Sequence, residues 1–230
     1  MYQFIGSGPG AQTEDGCSVE LYRRTQYHGE LDVPASYLGA GSGVLELGCG
    51  AGQGTHDLLR RGMKVTAVDN SKDMLETVPA DASTVWSDIG TLDIADRFDA
   101  VILPSRLINH ASAEKRHGFV GCGWRHLRQG GWFYIERHDP TWLATAAVGQ
   151  TGRRDDVEMS VESVSRDRDV ISMTLRYATA DSTWIHSFQI TSLSGDDLDA
   201  LLSPFGFSRL EWLNESKTWL RAQRSPEKLF

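Results

Sequence analysis

The sequence predicts an α/β fold: a doubly wound, mainly parallel sheet of seven strands, with an N-terminal helical segment and an antiparallel β insert after the fifth strand. Three observations carry this. Between residues 44 and 138 short apolar runs alternate with helical patterns, which implies a parallel sheet covered on both faces. Four glycines, Gly48, Gly50, Gly52 and Gly54, crowd the turn between the first of those runs and the helix pattern that follows. Within 157–193 the pattern changes to apolar–polar alternation rich in β-branched residues, the signal of antiparallel strands.

Residues 1–16, MYQFIGSGPGAQTEDG, are Gly-rich and polar and are expected to be a mobile tail. Leu21, Tyr22, Tyr27, Leu31 and Tyr37, set among charges, suit one or two short helices over 17–38, and GAGSG at 39–43 is a loop. VLEL (44–47) is a buried strand, THDLLRR (55–61) a helix, MKVTAVD (63–69) a strand, and SKDMLETV (71–78) a helix opened by Ser71 as N-cap. STVWSD (83–88) and FDAVILP (98–104) are strands. The stretch 113–129 is a helix, weakened by Gly118, Gly121 and Gly123, and GGWFYIERH (130–138) is the fifth strand. VEMSVESVSRD, DVISMTLRYAT and STWIHSFQITSL read as three antiparallel strands. Ser194 caps a helix over 194–205, and GFSRLEWLN and SKTWLRAQR complete an antiparallel edge. The whole chain, 1–230, reads as a single domain, divided into a segment 1–43, a core 44–137, an insert 157–193 and a C-terminal part 194–230.

At 230 residues the chain is long enough to bury a proper core, and 40% hydrophobic with 23% charged residues is ordinary for a globular protein. No apolar run approaches the ~20 residues of a membrane span, and the N-terminus lacks the basic start and apolar middle of a signal peptide. The expectation is a cytoplasmic protein with no membrane partner. Cys17, Cys49 and Cys122 form no CxxC pair, so neither a disulfide frame nor a cysteine-rich metal site is expected, and the metal set is empty. A net charge of −8 argues against nucleic acid as a partner. The local basic pairs Arg153–Arg154 and Lys115–Arg116 read as solvated surface.

A strand–glycine turn–helix unit offers bare backbone and a helix N-terminus at the carboxyl edge of a sheet, where nucleotide-like ligands bind. The dinucleotide pattern GxGxxG fits poorly, because Gln53 and Thr55 stand where its last glycine would fall. GSGPGA at 6–11 matches GxGxxA but follows no strand and opens no helix, and is read as part of the tail. ELGCGAGQGT (46–55) instead resembles motif I of the class I S-adenosylmethionine-dependent methyltransferases. VTAVDNSKDML (65–75), WSDI (86–89), FDAVILPSRLINH (98–110) and LRQGGWFYIE (127–136) resemble that family's later motifs, in order, over 44–137.

The resemblance implies S-adenosyl-L-methionine as cofactor and a set of residues to hold it. Gly48, Gly50 and Gly52 would pass under its methionine portion, with Glu46 holding the turn or reaching the amino end. Asp69 would accept the ribose hydroxyls. Asn70 and Met74 would flank the adenine, Asp88 would accept its amino group, and Ile89 and Leu103 would line the pocket. A turn or capping role is the alternative for Asp88. Tyr22 and Tyr27 either close over the methionine end or pack their helix onto the sheet.

The acceptor lies outside the shared core. LPSR after the fourth strand departs from the Asn/Asp-Pro-Pro-aromatic signature of enzymes that methylate DNA bases or protein glutamine. The layout of N-terminal helices plus an antiparallel insert resembles small-molecule methyltransferases of natural-product biosynthesis, including amino-sugar N,N-dimethyltransferases, which implies a small-molecule acceptor roofed by both segments. Methyl transfer to a neutral amine needs alignment and exclusion of water, whereas a hydroxyl needs a base. His110 and His138, at the mouths of the fourth and fifth strands, are the candidate bases, and helix-capping or loop roles compete for each. His186 is a roof residue or a cross-strand partner, Arg106 a candidate for an anionic acceptor, and Trp132, Trp142, Trp184, Trp212 and Trp219 are core residues. The chain is expected to be a monomer or homodimer. The competing classes are a protein or RNA methyltransferase, a non-catalytic S-adenosylmethionine-binding protein and a nicotinamide-dependent oxidoreductase.

Overall fold

A computed structural model describes residues 4–225, so the ends of the expected tail (1–3) and of the C-terminal part (226–230) lie outside the described residues. Along the chain run β1 (Ile5–Ser7), α1 (Val19–Arg24), α2 (Asp32–Ala35), β2 (Gly43–Leu47), α3 (Gln53–Arg60), β3 (Lys64–Asp69), α4 (Lys72–Leu75), β4 (Ser83–Trp86) and β5 (Phe98–Leu103). There follow α5 (Ala113–His126), β6 (Leu127–Glu136), α6 (Pro140–Thr145), β7 (Thr151–Arg154), β8 (Val157–Asp167), β9 (Val170–Ala178) and β10 (Thr183–Thr191). The chain closes with α7 (Gly195–Leu202), β11 (Phe207–Trp212) and β12 (Trp219–Arg224).

Seven strands form one sheet in the order β11-β12-β6-β5-β2-β3-β4. The five from β6 to β4 are parallel, and β12 and β11 add an antiparallel edge. The chain leaves β2 toward β3 and β4, then returns to pair β5 on the other side of β2. Connections leaving β2 and β5 therefore diverge, and the crevice at their carboxyl ends is the place where such sheets bind ligands. Alternate residues of these apolar strands bury on opposite faces, as a parallel sheet covered on both sides requires. Leu45, Leu47, Val101 and Leu103 pack with α5 and α7 residues such as Phe119, Val120 and Leu202, while Val44, Ala100 and Ile102 pack with Ala35 and Leu58 of α2 and α3. Ser71, Ser112 and Ser194 each cap a helix by accepting a main-chain N–H.

The second sheet corrects the reading of the insert. It has five strands, β1-β10-β9-β8-β7, where three were expected, and its inner face of Val161, Met173, Leu175 and Ile190 closes on Leu143 of α6. The larger correction concerns the tail. β1 pairs antiparallel with β10, Gly6 standing opposite His186. The glycines taken as a sign of mobility serve close approach: a Cβ on Gly6 would lie 2.1 Å from the carbonyl oxygen of Gly16. The Trp184 indole N–H donates to the Pro9 carbonyl at 3.0 Å, which fastens the same segment to β10. The helix expected over 113–129 ends at His126, because Leu127 already pairs with Phe98 in the sheet.

Candidate active site

Immediately after β2 the chain turns through Gly48, Gly50 and Gly52, with φ of +74°, +55° and +86°, a region that side chains with a Cβ rarely adopt. The amides of Gly48 and Cys49 both donate to the Val68 carbonyl, at 2.8 and 3.0 Å, which binds the turn to β3. Asp69, the last residue of β3, accepts from the Gly50 N–H at 2.9 Å and from the Ser71 N–H at 2.9 Å, one on each oxygen. Burial raises the Asp69 carboxyl above its ordinary value, and the main-chain donors pull it back. Each of its oxygens keeps a further acceptor lone pair, so a ribose diol remains chemically compatible. A Cβ at Gly50 would meet only the Tyr22 ring, at 3.8 Å, so the turn opens onto a gap beneath that ring. Glu46 is 2% exposed, and its Oε2 accepts from the Thr55 hydroxyl at 2.6 Å. Burial pushes its carboxyl up to about 7.

The N-terminal helix lies over this turn. Gln53, at the start of α3, donates through Nε2 to the carbonyls of Tyr22 and Thr25. Tyr22 is 37% exposed and its hydroxyl is 3.8 Å from the Cys17 thiol. Desolvation and the nearby Asp15 carboxylate contribute to pushing that thiol up to about 12. The other tyrosine resolves toward packing: the Tyr27 hydroxyl accepts from the Leu31 N–H and donates to Asp32, both at 3.1 Å, which ties it to α2. The second sheet holds the helix from above through Arg24–Asp181 at 3.2 Å, His28–Asp155 at 2.9 Å and an Arg154–Glu30 ion pair.

On the far side of the turn, the expected adenine residues separate. Asn70 is exposed, and its carbonyl accepts the Trp86 indole N–H at 2.9 Å. Met74 is buried against Val19 and Ala51, so it joins α4 to α1 as well as to the glycine turn. Asp88 makes the turn contacts of the alternative reading: Oδ1 accepts from the Gly90 N–H and Oδ2 pairs with Lys115 Nζ, both at 2.7 Å. Ile89 packs in the core, and Leu103, with no exposed surface, supports the site from beneath without lining it. Sequence reasoning missed Leu107, whose Cδ1 occupies the space a Cβ on Gly48 would need, 2.6 Å away.

Both histidines stand near the carboxyl edge of the sheet, and each makes contacts of a packing or capping kind. The Ser112 N–H donates to His110 Nδ1 at 3.0 Å, so a neutral ring carries its proton on Nε2 and presents a donor. The ring stacks on Phe4 at 4.9 Å, which is packing. The His138 ring stacks on Trp142 at 5.7 Å, and burial with the nearby Arg106 lowers it to about 3. A nitrogen so weakly basic holds no proton at neutral pH. Three buried residues that span the chain were also missed. Asn109 donates to the Thr191 carbonyl and accepts from the His138 N–H, both at 2.8 Å, which joins the two sheets. Glu136 accepts the Ser105 N–H at 2.7 Å and pairs with Arg106 at 3.2 Å, and thereby holds two successive residues at φ +59°. Arg137 donates to the carbonyls of Leu193 and Lys217. An Asn109→Ala substitution strands a buried N–H and a buried carbonyl and is expected to lower stability by about 2 kcal/mol. A urea midpoint that does not move would show that water replaces both bonds.

Residues of β9 and β10 pack against α1 and the chain before it. Tyr177 packs with Leu21, Val157 and Trp184, and burial raises its hydroxyl well above the ordinary value. His186 Nε2 donates to the Asp15 carbonyl at 2.9 Å. Among the described residues no group of three His, Cys, Asp or Glu side chains is arranged to hold a metal ion, and no helix is long and apolar enough to cross a membrane.

Residues 44–131 match the family described as a methyltransferase domain, and they span β2 to the middle of β6. No curated protein matches the chain. Among solved structures, Streptomyces venezuelae DesVI is 21% identical, with a TM-score of 0.71 over 90% of this chain and 95% of that one. The sugar N-methyltransferase KedS8 from a Streptoalloteichus species is 20% identical, with a TM-score of 0.71 over 96% and 98%. The amino pentose methyltransferase CalS10 from Micromonospora echinaspora, solved with bound S-adenosylmethionine, is 19% identical, with a TM-score of 0.67 over 90% and 95%. At these identities the likeness shows a shared fold, and it extends over both sheets.

Proposed function

With residues 44–131 a methyltransferase domain, we propose that the chain is an S-adenosylmethionine-dependent methyltransferase acting on nitrogen of a small-molecule acceptor of secondary metabolism. The observation that carries the reading is the left-handed glycine turn joined to the Asp69 carboxylate at the point where the strand order reverses. Bound there, S-adenosylmethionine supplies an electrophilic methyl group on a sulfonium. Gly48, Gly50 and Gly52 would hold its methionine portion, Asp69 would take the ribose, Tyr22 would cover the sulfonium end, and Asn70, Met74 and Ile89 would stand on the adenine side. Residues 1–43 act as the lid, 44–137 as the cofactor core and 157–193 as the roof over the acceptor, a division suited to excluding water and large substrates.

Nitrogen is favoured over oxygen because the cleft offers no histidine base. His110 spends its basic nitrogen on Ser112, and His138 is too weak. An amine held deprotonated needs position and a dry site, not proton abstraction. Kinship in fold with sugar and amino pentose methyltransferases supports the same acceptor class.

Calorimetric titration with S-adenosylhomocysteine and with NAD tests the cofactor. Micromolar binding of the first and none of the second is expected, and NAD binding alone would overturn the reading. The acceptor is tested by offering paired amino and hydroxy monosaccharides with S-adenosylmethionine and following the methylated product by mass. A variant with His110→Asn, which keeps an acceptor for the Ser112 N–H, and His138→Phe, which keeps the stack on Trp142, should retain turnover within about threefold. Its pH profile between 6 and 9 should match the parent. A loss of ~100-fold would restore a histidine base.

A further inference from the structure

We propose that Asp15 is the carboxylate that binds the acceptor nitrogen in this cleft, a role that rests on the amine methyl-transfer reading above. The segment carrying Asp15 is built into the second sheet. Beyond β1, the close contact of Gly6 with Gly16 fixes a tight turn in which the Thr13 N–H donates to the Cys17 carbonyl at 2.9 Å and the Gly16 N–H to the Thr13 carbonyl at 3.0 Å. His186, on β10, holds the main chain of Asp15 itself. One residue past Cys17, Ser18 caps α1 by accepting the Leu21 N–H at 3.3 Å, so the turn runs directly into that helix.

This construction sets the Asp15 turn beside the residues that lie over the glycine turn. The steps are contiguous: Gly50 faces the Tyr22 ring at 3.8 Å, the Tyr22 hydroxyl lies 3.8 Å from the Cys17 thiol, and Cys17 closes the Asp15 turn. The field of Asp15 reaches Cys17 and Tyr22 of its own segment, Asp69 at the end of β3, His110, and His186 on β10. Two acids border that space, and they differ in what they have left to offer. Asp69 accepts a main-chain amide on each oxygen and keeps only the lone pairs that the ribose would take. Asp15, half-buried, accepts only from the Thr13 hydroxyl, on Oδ1, among the described residues.

A carboxylate beside a reacting amine has a defined use. The lone pair of the acceptor nitrogen forms the N–C bond as the C–S bond breaks with its electrons passing to sulfur, and the nitrogen keeps its hydrogen and becomes an ammonium. A carboxylate that accepts that N–H orients the lone pair and meets the positive charge as it develops, which makes the interaction stronger in the transition state than before it. The proton is released afterwards to water.

Sinefungin, the cofactor analogue with a primary amine in place of the sulfonium methyl, presents an N–H donor at the transfer point and tests this without the natural acceptor. Its affinity and that of S-adenosylhomocysteine are measured on the parent, Asp15→Asn and Asp15→Glu. Asp15→Asn should bind S-adenosylhomocysteine within about twofold of the parent and sinefungin about tenfold more weakly, as loss of a charge-assisted hydrogen bond implies. Asp15→Glu, which keeps the charge, should restore most of the ratio. An unchanged ratio in Asp15→Asn, or equal loss of both ligands, overturns the proposal in favour of a structural role for the turn. Silence of both ligands on the parent chain overturns the cofactor reading itself, and this proposal with it.

Discussion

Asp69→Ala should weaken S-adenosylhomocysteine binding by at least ~100-fold while the far-ultraviolet dichroism stays unchanged. Two losses add. The ribose loses a charged acceptor, and the glycine turn loses the bond that holds the Gly50 amide, so the backbone that should pass beneath the ligand is no longer fixed. Freeing the Gly50 and Ser71 amides at the rim of the sheet costs about 1–3 kcal/mol of stability, which the β2–β3 pairing survives. Asp69→Asn separates the two effects. It keeps the shape and one acceptor but turns an amide N–H toward a main-chain donor, so the turn is disturbed on one side only. Calorimetry should rank the parent above Asp69→Asn and Asp69→Ala below both. An Asp69→Ala chain that binds as tightly as the parent would remove the ribose assignment and leave Asp69 as a residue of the turn.

That ranking was open to reading from the sequence because both halves of it are local. Gly48 to Gly52 and Asp69 lie within one strand–turn–helix–strand unit, and apolar runs mark β2 and β3 whatever the rest of the chain does. The same holds for the five parallel strands and for the Ser71 and Ser194 caps. Where the sequence misled, the deciding partner lay far away. Gly6 and Gly8 read as mobility because composition says nothing of β10, about 180 residues on, which pairs with Gly6 and whose Thr183 carbonyl stands 2.6 Å from where a Cβ on Gly8 would lie. Asn109 reads as a loop residue until Thr191 and His138 are placed around it. The histidines show a finer limit. Their positions at the strand mouths were correct, yet their chemistry turns on which ring nitrogen meets the Ser112 amide and on how deeply Trp142 and its neighbours bury the other ring. A turn such as TEDGC carries a weak local signal, an acid beside glycine, and only the fold of β1 onto β10 gives that acid an address.

Glu46 should make stability depend on pH with a sign opposite to that of a salt-bridged carboxylate. Its ordinary value is 4.5 and burial raises it to about 7 in the folded chain, the Thr55 hydroxyl offsetting part of the effect. The folded state therefore binds the proton more tightly than the unfolded state, so the contribution is complete below 4.5 and is lost as pH rises through 7. At about 1.36 kcal/mol per pH unit the full effect is about 3 kcal/mol. Glu46→Gln carries no such titration, and the stability gap between it and the parent should widen in its favour by about 2–3 kcal/mol from pH 5 to pH 8 in urea unfolding. A gap that stays constant would mean that Glu46 ionises freely in the folded state. The same group decides between the two roles open to it. An ammonium brought against Glu46 by the cofactor's amino end would favour the ionised carboxylate, so binding of S-adenosylhomocysteine at pH 6 should release close to one proton, read from binding enthalpies in two buffers of different ionisation heat. At pH 8, where the proton has already left, release should vanish, and Glu46→Gln should abolish it at both. Release at pH 6 alone puts the amino end on Glu46, and no release at either pH leaves Glu46 as a residue of the turn, held through Thr55.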